Sequence, residues 1–201
     1  MWSNVLLPRL ALGIRCRTAA NAAFATTYSL AFDGHPNWLS RRGARWGAGA
    51  GAIVLAGYAA ALAIPPLRTR ITTFTDRAPE VPLTEWVLLH IPVGTVYSEE
   101  LIFRATLDPL LAPAGNWLGP LTFGLWHIHP ARATGDNVLA SIAATTAAGR
   151  IFSCLRRHTD STTAPALLHL ALNAGGALVP HLATHLNPTE LPAPESTPPR
   201  R

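Results

Sequence analysis

From Gly47 to Pro66 the chain runs for about twenty residues without a charged side chain. A helix rises ~1.5 Å per residue, so a run of this length matches the ~30 Å hydrocarbon core of a bilayer. Whatever else the chain does, it must fold around a membrane span. Composition agrees: charged residues are 13% of the chain, about half the ~25% usual for soluble domains. All 16 basic residues are arginine. That arginine-only, alanine-rich usage points to a high-GC, bacterial genome and carries no information on fold. The arginines cluster at 41–45 and 156–157, beside apolar runs. This reads as positive-inside anchoring; no basic stripe interleaves with aromatics, so nucleic acid is not an expected partner. Cys16 and Cys154 form no C-x-x-C and indicate neither a disulfide framework nor a thiolate metal site.

Further apolar segments follow the same logic. Residues 1–32 read as an interfacial helix or a weak first span, broken by Pro8, Arg9, Arg15 and Arg17. Asp33–Arg45 is expected to be a polar loop. Gly47, Gly49, Gly51 and Gly57 suit close helix contact within the clearest span. Leu67–Pro82 reads as a loop. Leu83–Leu111 reads as a second span, kinked by Pro92, with Pro109 ending the helix. Asn116–His129 is a short third span, Pro130–Asp136 a turn, Asn137–Leu155 a fourth span and Thr163–His185 a fifth. The expected architecture is an all-α, polytopic membrane helix bundle of about five to six spans. Its divisions are 1–46 (interfacial segment and basic loop), 47–185 (bundle) and 186–201 (Pro-rich, disordered tail).

Three polar clusters interrupt these apolar runs. Ser98–Arg104 reads S-E-E-L-I-F-R. On a helix Glu100 and Arg104 share a face and can pair, while Glu99 is turned ~100° away with Phe103 at i+4 and no local cation. Desolvation should then suit Glu99 to general-base work. Phe123–His127 reads F-G-L-W-H, and His169–Asn173 reads H-L-A-L-N, with His169 and Asn173 on one face. Singly, each has a packing explanation: an ion pair inside a bundle, an interfacial histidine beside Trp126, interhelical polar glue. Ionisable groups inside apolar segments are nonetheless functional candidates by default. Glu and His activate water, and His and Asn can donate to a developing oxyanion. Glu99, His127 and His169 could alternatively hold zinc with an open position. No H-E-x-x-H or G-x-S-x-G occurs, so soluble zinc-protease and serine-hydrolase readings find no support.

E-E-x-x-x-R, then F-x-x-x-H, then H-x-x-x-N, in that order over roughly residues 83–182, resembles the CPBP (Abi) family of intramembrane proteases. That family includes type II CAAX prenyl endopeptidases and bacteriocin-processing or self-immunity proteins. The resemblance implies an intramembrane endopeptidase acting on a membrane-associated protein or peptide. Glu99 would be the base, acting with His127 on the attacking water. Glu100 would pair with Arg104, and His169 and Asn173 would stabilise the oxyanion. It leaves two routes open: catalytic zinc, as in a metalloprotease, or a glutamate/histidine mechanism without metal. It also leaves a rival, a non-catalytic membrane scaffold or immunity protein of the same fold. The expected setting is the bacterial cytoplasmic membrane. Nothing in the sequence specifies the oligomeric state.

Overall fold

The computed structural model describes residues 1–72 and 79–187. Among them all regular structure is helical, as expected. After short helical turns at Trp2–Leu6 and Leu7–Arg9, and with a 3-10 turn at Ala112–Ala114, the elements are α1 (Ile14–Ala31), α2 (Arg41–Ala63), α3 (Pro65–Thr72), α4 (residues 83–111), α5 (Leu118–Trp126), α6 (Ile128–Ala133), α7 (Val138–Thr159) and α8 (Thr163–Leu186). By length and composition α2, α7 and α8 could each cross a membrane. Their outward faces carry exposed Ile53, Leu55, Leu139 and Ile151. Such a surface suits lipid, where apolar exposure costs nothing.

Several expected loops are helical. Arg41, Arg42 and Arg45 lie in the first turns of α2, where Ser40 caps the helix by accepting from the Gly43 N–H. Part of the Leu67–Pro82 loop is α3, and the turn after His127 is the short α6. Residues 73–78, and nearly all of the Pro-rich tail, lie outside the described residues. Pro109 does not end its helix either. It occupies the first turn of an α-helical segment, Asp108–Leu111, where a missing N–H is tolerated. The turns stop at Gly115, whose φ of 129° is open to glycine.

α4 is wound wide over most of its length. Trp86–Tyr97 and Glu100–Leu107 are π-helical, and Pro92 lies inside the first of these. Ser98 Oγ donates to the Val93 carbonyl and Thr106 Oγ1 to the Leu101 carbonyl, both five residues back. Such winding is rare and often marks functional sites.

Glycine sets the spacing between helices. A Cβ on Gly47 would lie 2.8 Å from the Ala164 carbonyl oxygen, and one on Gly51 3.3 Å from Ala171. Gly43, Gly47 and Gly51 therefore form the stripe that lets α2 lie along α8. Gly49 and Gly57 face open space, so only part of the predicted small-residue set serves packing. The buried centre is Leu101, Ile102 and Phe103 of α4, Phe123 of α5, Phe152 of α7 and Leu168 of α8. At one end Ser161 and Thr163 donate to the carbonyls of Asn37 and Trp38. This brings the 41–45 and 156–157 arginine clusters to the same end of the bundle.

Candidate active site

α4 presents the di-acid pair, the α5–α6 junction His127, and α8 His169. The local reason for His127 is packing. A Cβ on Gly124 would meet Thr146 Oγ1 and the Ile142 carbonyl of α7, and Gly149 of α7 accepts the Phe123 ring. α5 is thus pressed onto α7. It breaks at His127 (φ −91°, ψ 7°), so the ring leaves the helix axis and turns toward α4. Its Nδ1 lies 2.8 Å from the Phe123 carbonyl. A carbonyl only accepts, so Nδ1 carries the proton and Nε2 presents a lone pair in the neutral ring.

That Nε2 lies 4.0 Å from Glu99 Oε2, and His169 Nε2 lies 3.7 Å from the same oxygen. Both separations exceed a direct hydrogen bond. Glu99 Oε2 is buried and has no hydrogen-bond partner among the described residues. The other oxygen, Oε1, accepts from Trp126 Nε1 at 3.1 Å. One carboxylate oxygen is therefore anchored and the other is held between two imidazoles.

Glu100 is different. It is fully buried; Oε1 meets His169 Nδ1 at 2.8 Å and Oε2 lies 3.6 Å from Arg104 Nε. Arg104 reaches on to Asp108, with Nη1 3.5 Å from Oδ2. Its guanidinium sits among the rings of Phe103, Phe123 and Phe152, nearest Phe123 at 4.6 Å. Cation–π attraction offsets part of the desolvation cost there. Phe152 also stacks on the His169 imidazole, centroids 4.8 Å apart.

The structure thus brings Glu99, Glu100, Arg104, His127 and His169 together. Asn173 is one turn further along α8, half-buried, on a neighbouring cavity of about 320 Å³. The cavity beside Glu99 and His127 is about 570 Å³, and the two share Trp86 and Thr95 as walls. Zinc would need three donors converging at ~2.0–2.2 Å. Among the described residues no three His, Cys, Asp or Glu side chains form a group able to hold a metal ion. The set Glu99, His127 and His169 does not fit zinc as it stands, and no step below is drawn through one.

Three participants escaped the sequence reading. Trp126 is the donor to Glu99, hidden because aromatics near span ends pass for interface anchors. The Glu100–His169 bond joins α4 to α8 and leaves no local signature. His90 lines the cavity, buried, with Nδ1 2.7 Å from the Thr18 hydroxyl and Nε2 3.1 Å from Glu85, which Arg15 holds from the surface. An ionisable residue in the apolar run 86–97 was the available signal.

Residues 81–175 match the family model described as type II CAAX prenyl endopeptidase Rce1-like. No curated protein and no solved structure matches the chain.

Proposed function

We propose that this chain, Rce1-like over residues 81–175, is an intramembrane endopeptidase that cleaves a peptide bond with water activated by Glu99 and His127. One observation carries the reading. Glu99 Oε2 and His127 Nε2, both acceptors, face each other at 4.0 Å, and the oxygen has no hydrogen-bond partner among the described residues. A water molecule donating one hydrogen to each would satisfy both and keep a lone pair for attack. Attack on the scissile carbonyl forms the C–O bond. The water's proton passes to the Glu99/His127 pair and then to the departing amine as the C–N bond breaks.

His169 supports the developing oxyanion. Its Nδ1 meets Glu100 Oε1 at 2.8 Å, which fixes the ring with Nε2 turned toward Glu99, where an Nε2–H would donate to the oxyanion. The Asn173 side chain makes no hydrogen bond to another described residue, so its amide is free to be a second donor once substrate spans the two cavities. Trp126 holds the base in its rotamer. Glu100, Arg104 and Asp108 keep α4 and α8 in register and touch no substrate.

On this reading the substrate is a membrane-associated protein or peptide, and the enzyme works in a bacterial cytoplasmic membrane. The matched family's description makes prenylated C-terminal peptides the first substrates to try. The test uses the full chain in proteoliposomes, with farnesylated and unmodified peptides read by mass spectrometry. Products are expected from wild type and not from Glu99→Gln, and a zinc chelator should leave the rate unchanged. Identical products from both proteins would sink the catalytic reading. Activity that follows added zinc one-for-one would overturn the metal-free route alone.

A further inference from the structure

A separate cavity of about 470 Å³ lies at the C-terminal end of α7, reached from the candidate active site through Glu100, Arg104 and Asp108. Pro109, Ala112 and Pro120 form apolar wall, and Asp108, Arg156, Arg157 and the exposed Asp160 line it with charge. Three of these charges already have partners. Asp108 Oδ2 takes the Ser153 hydroxyl and faces Arg104. Arg156 donates through Nη1 to Asp160 at 2.8 Å and through Nη2 to the His35 carbonyl at 2.9 Å.

What remains is donor capacity. The guanidinium of Arg156 is held through Nη1 and Nη2, each of which makes one hydrogen bond and keeps a second N–H, while its Nε is buried. Arg157 has no carboxylate within ion-pair distance among the described residues; its one side-chain hydrogen bond is to Cys154 Sγ at 3.6 Å. Two adjacent arginines with open N–H groups are a recognition device for a tetrahedral oxyanion. The setting says which kind. Both lie in the last turn of the apolar, span-length α7, and Leu110, Trp117 and Leu118 are exposed large apolar residues of the neighbouring α4–α5 segment. Basic pockets between spans at the membrane boundary suit lipid headgroups.

We propose that this cavity binds the phosphate of a membrane phospholipid, with Arg156 and Arg157 as its donors and the exposed apolar residues of α4 and α5 beside its acyl chains. The site does not depend on proteolysis. Its test is binding to the purified, delipidated full chain, by native mass spectrometry and thermal shift. The probes are dioleoyl-phosphatidylglycerol, the matching dioleoylglycerol that lacks phosphate, and inorganic phosphate. Phosphatidylglycerol should bind saturably, one per chain. Arg157→Gln should weaken it roughly tenfold, the loss of one charge-assisted contact. Ala112→Trp, which fills the cavity without changing charge, should abolish binding while melting like lipid-free wild type. That second variant keeps the test decisive should Arg157→Gln misfold. Equal binding of dioleoylglycerol, or wild-type affinity in either folded variant, would overturn the proposal. Inorganic phosphate binding as tightly as phosphatidylglycerol would retain the phosphate site and overturn the lipid as its source.

Discussion

Glu99 and Glu100 are neighbours in the chain, yet the bundle treats them in opposite ways. Glu99 opens on a cavity of about 570 Å³ and holds one oxygen between two imidazoles, with no hydrogen-bond partner among the described residues. Glu100 is sealed: Oε1 meets His169, and Oε2, also without a hydrogen bond, faces the Arg104 cation at 3.6 Å, which continues to Asp108. In the proposed mechanism one acid serves chemistry and the other structure. The difference teaches that burial alone does not select a candidate base, since Glu100 is the more buried of the two. The mark is an acceptor left facing another acceptor across a gap one water can fill.

The largest expected effect breaks the comparison on the Glu99 side. Glu99→Gln keeps the Trp126 bond but removes the base, so cleavage should fall ~10²–10⁴-fold with little change in melting. Peptide cleavage measured beside a detergent melt checks both halves, and a Glu99→Gln protein that still cleaves would reverse the assignment.

Glu100→Gln attacks the other side. Removing one partner of a buried pair costs ~3–5 kcal/mol, and because Asp108 still faces Arg104 the loss should sit at the lower end. The melting temperature should drop clearly, and by more than for Glu99→Gln. Equal destabilisation would mean the two acids share one role.

Two smaller changes sharpen the distinction. Trp126→Phe deletes the donor to Glu99 Oε1, a charge-assisted bond worth ~1.5–3 kcal/mol. Turnover should fall roughly tenfold, with the fold intact by circular dichroism and melting. An unchanged rate would show that Glu99 needs no anchor. Asp108→Asn keeps the hydrogen bonds of the ladder and loses only its far charge. It should cost about 1 kcal/mol of stability by denaturant titration in mixed micelles, and leave the cleavage rate at wild type. A rate loss as large as that of Trp126→Phe would extend the active site along the ladder.

Much of this was legible before any coordinates. Gly47–Pro66 required a span by length and polarity alone, and α2 covers all of it but the last three residues. The pairing of Glu100 with Arg104 follows from a local spacing, as does the shared face of His169 and Asn173. Local rules also misled. Polar, arginine-rich stretches at 41–45 and 67–72 looked like loops and are helical, because arginine is a good helix former and its long side chain reaches water from a helix end. Pro109 looked like a stop and sits in a first turn.

The sequence by itself determined the membrane-spanning, all-helical character and the inventory of polar groups that had to be accommodated. Tertiary structure alone decided who meets whom. Periodicity places residues on a face of one helix, but the rotation and height of that helix against its neighbours come from contacts between distant residues. Here they include Gly124 against α7, Gly47 against Ala164, and Phe152 against His169. Those contacts put His169 on Glu100, left Glu99 Oε2 between two imidazoles, and set Asn173 on the adjoining cavity. The wide winding of α4 shifts side chains away from the faces that 3.6 residues per turn would assign. No count along the chain could have supplied that geometry.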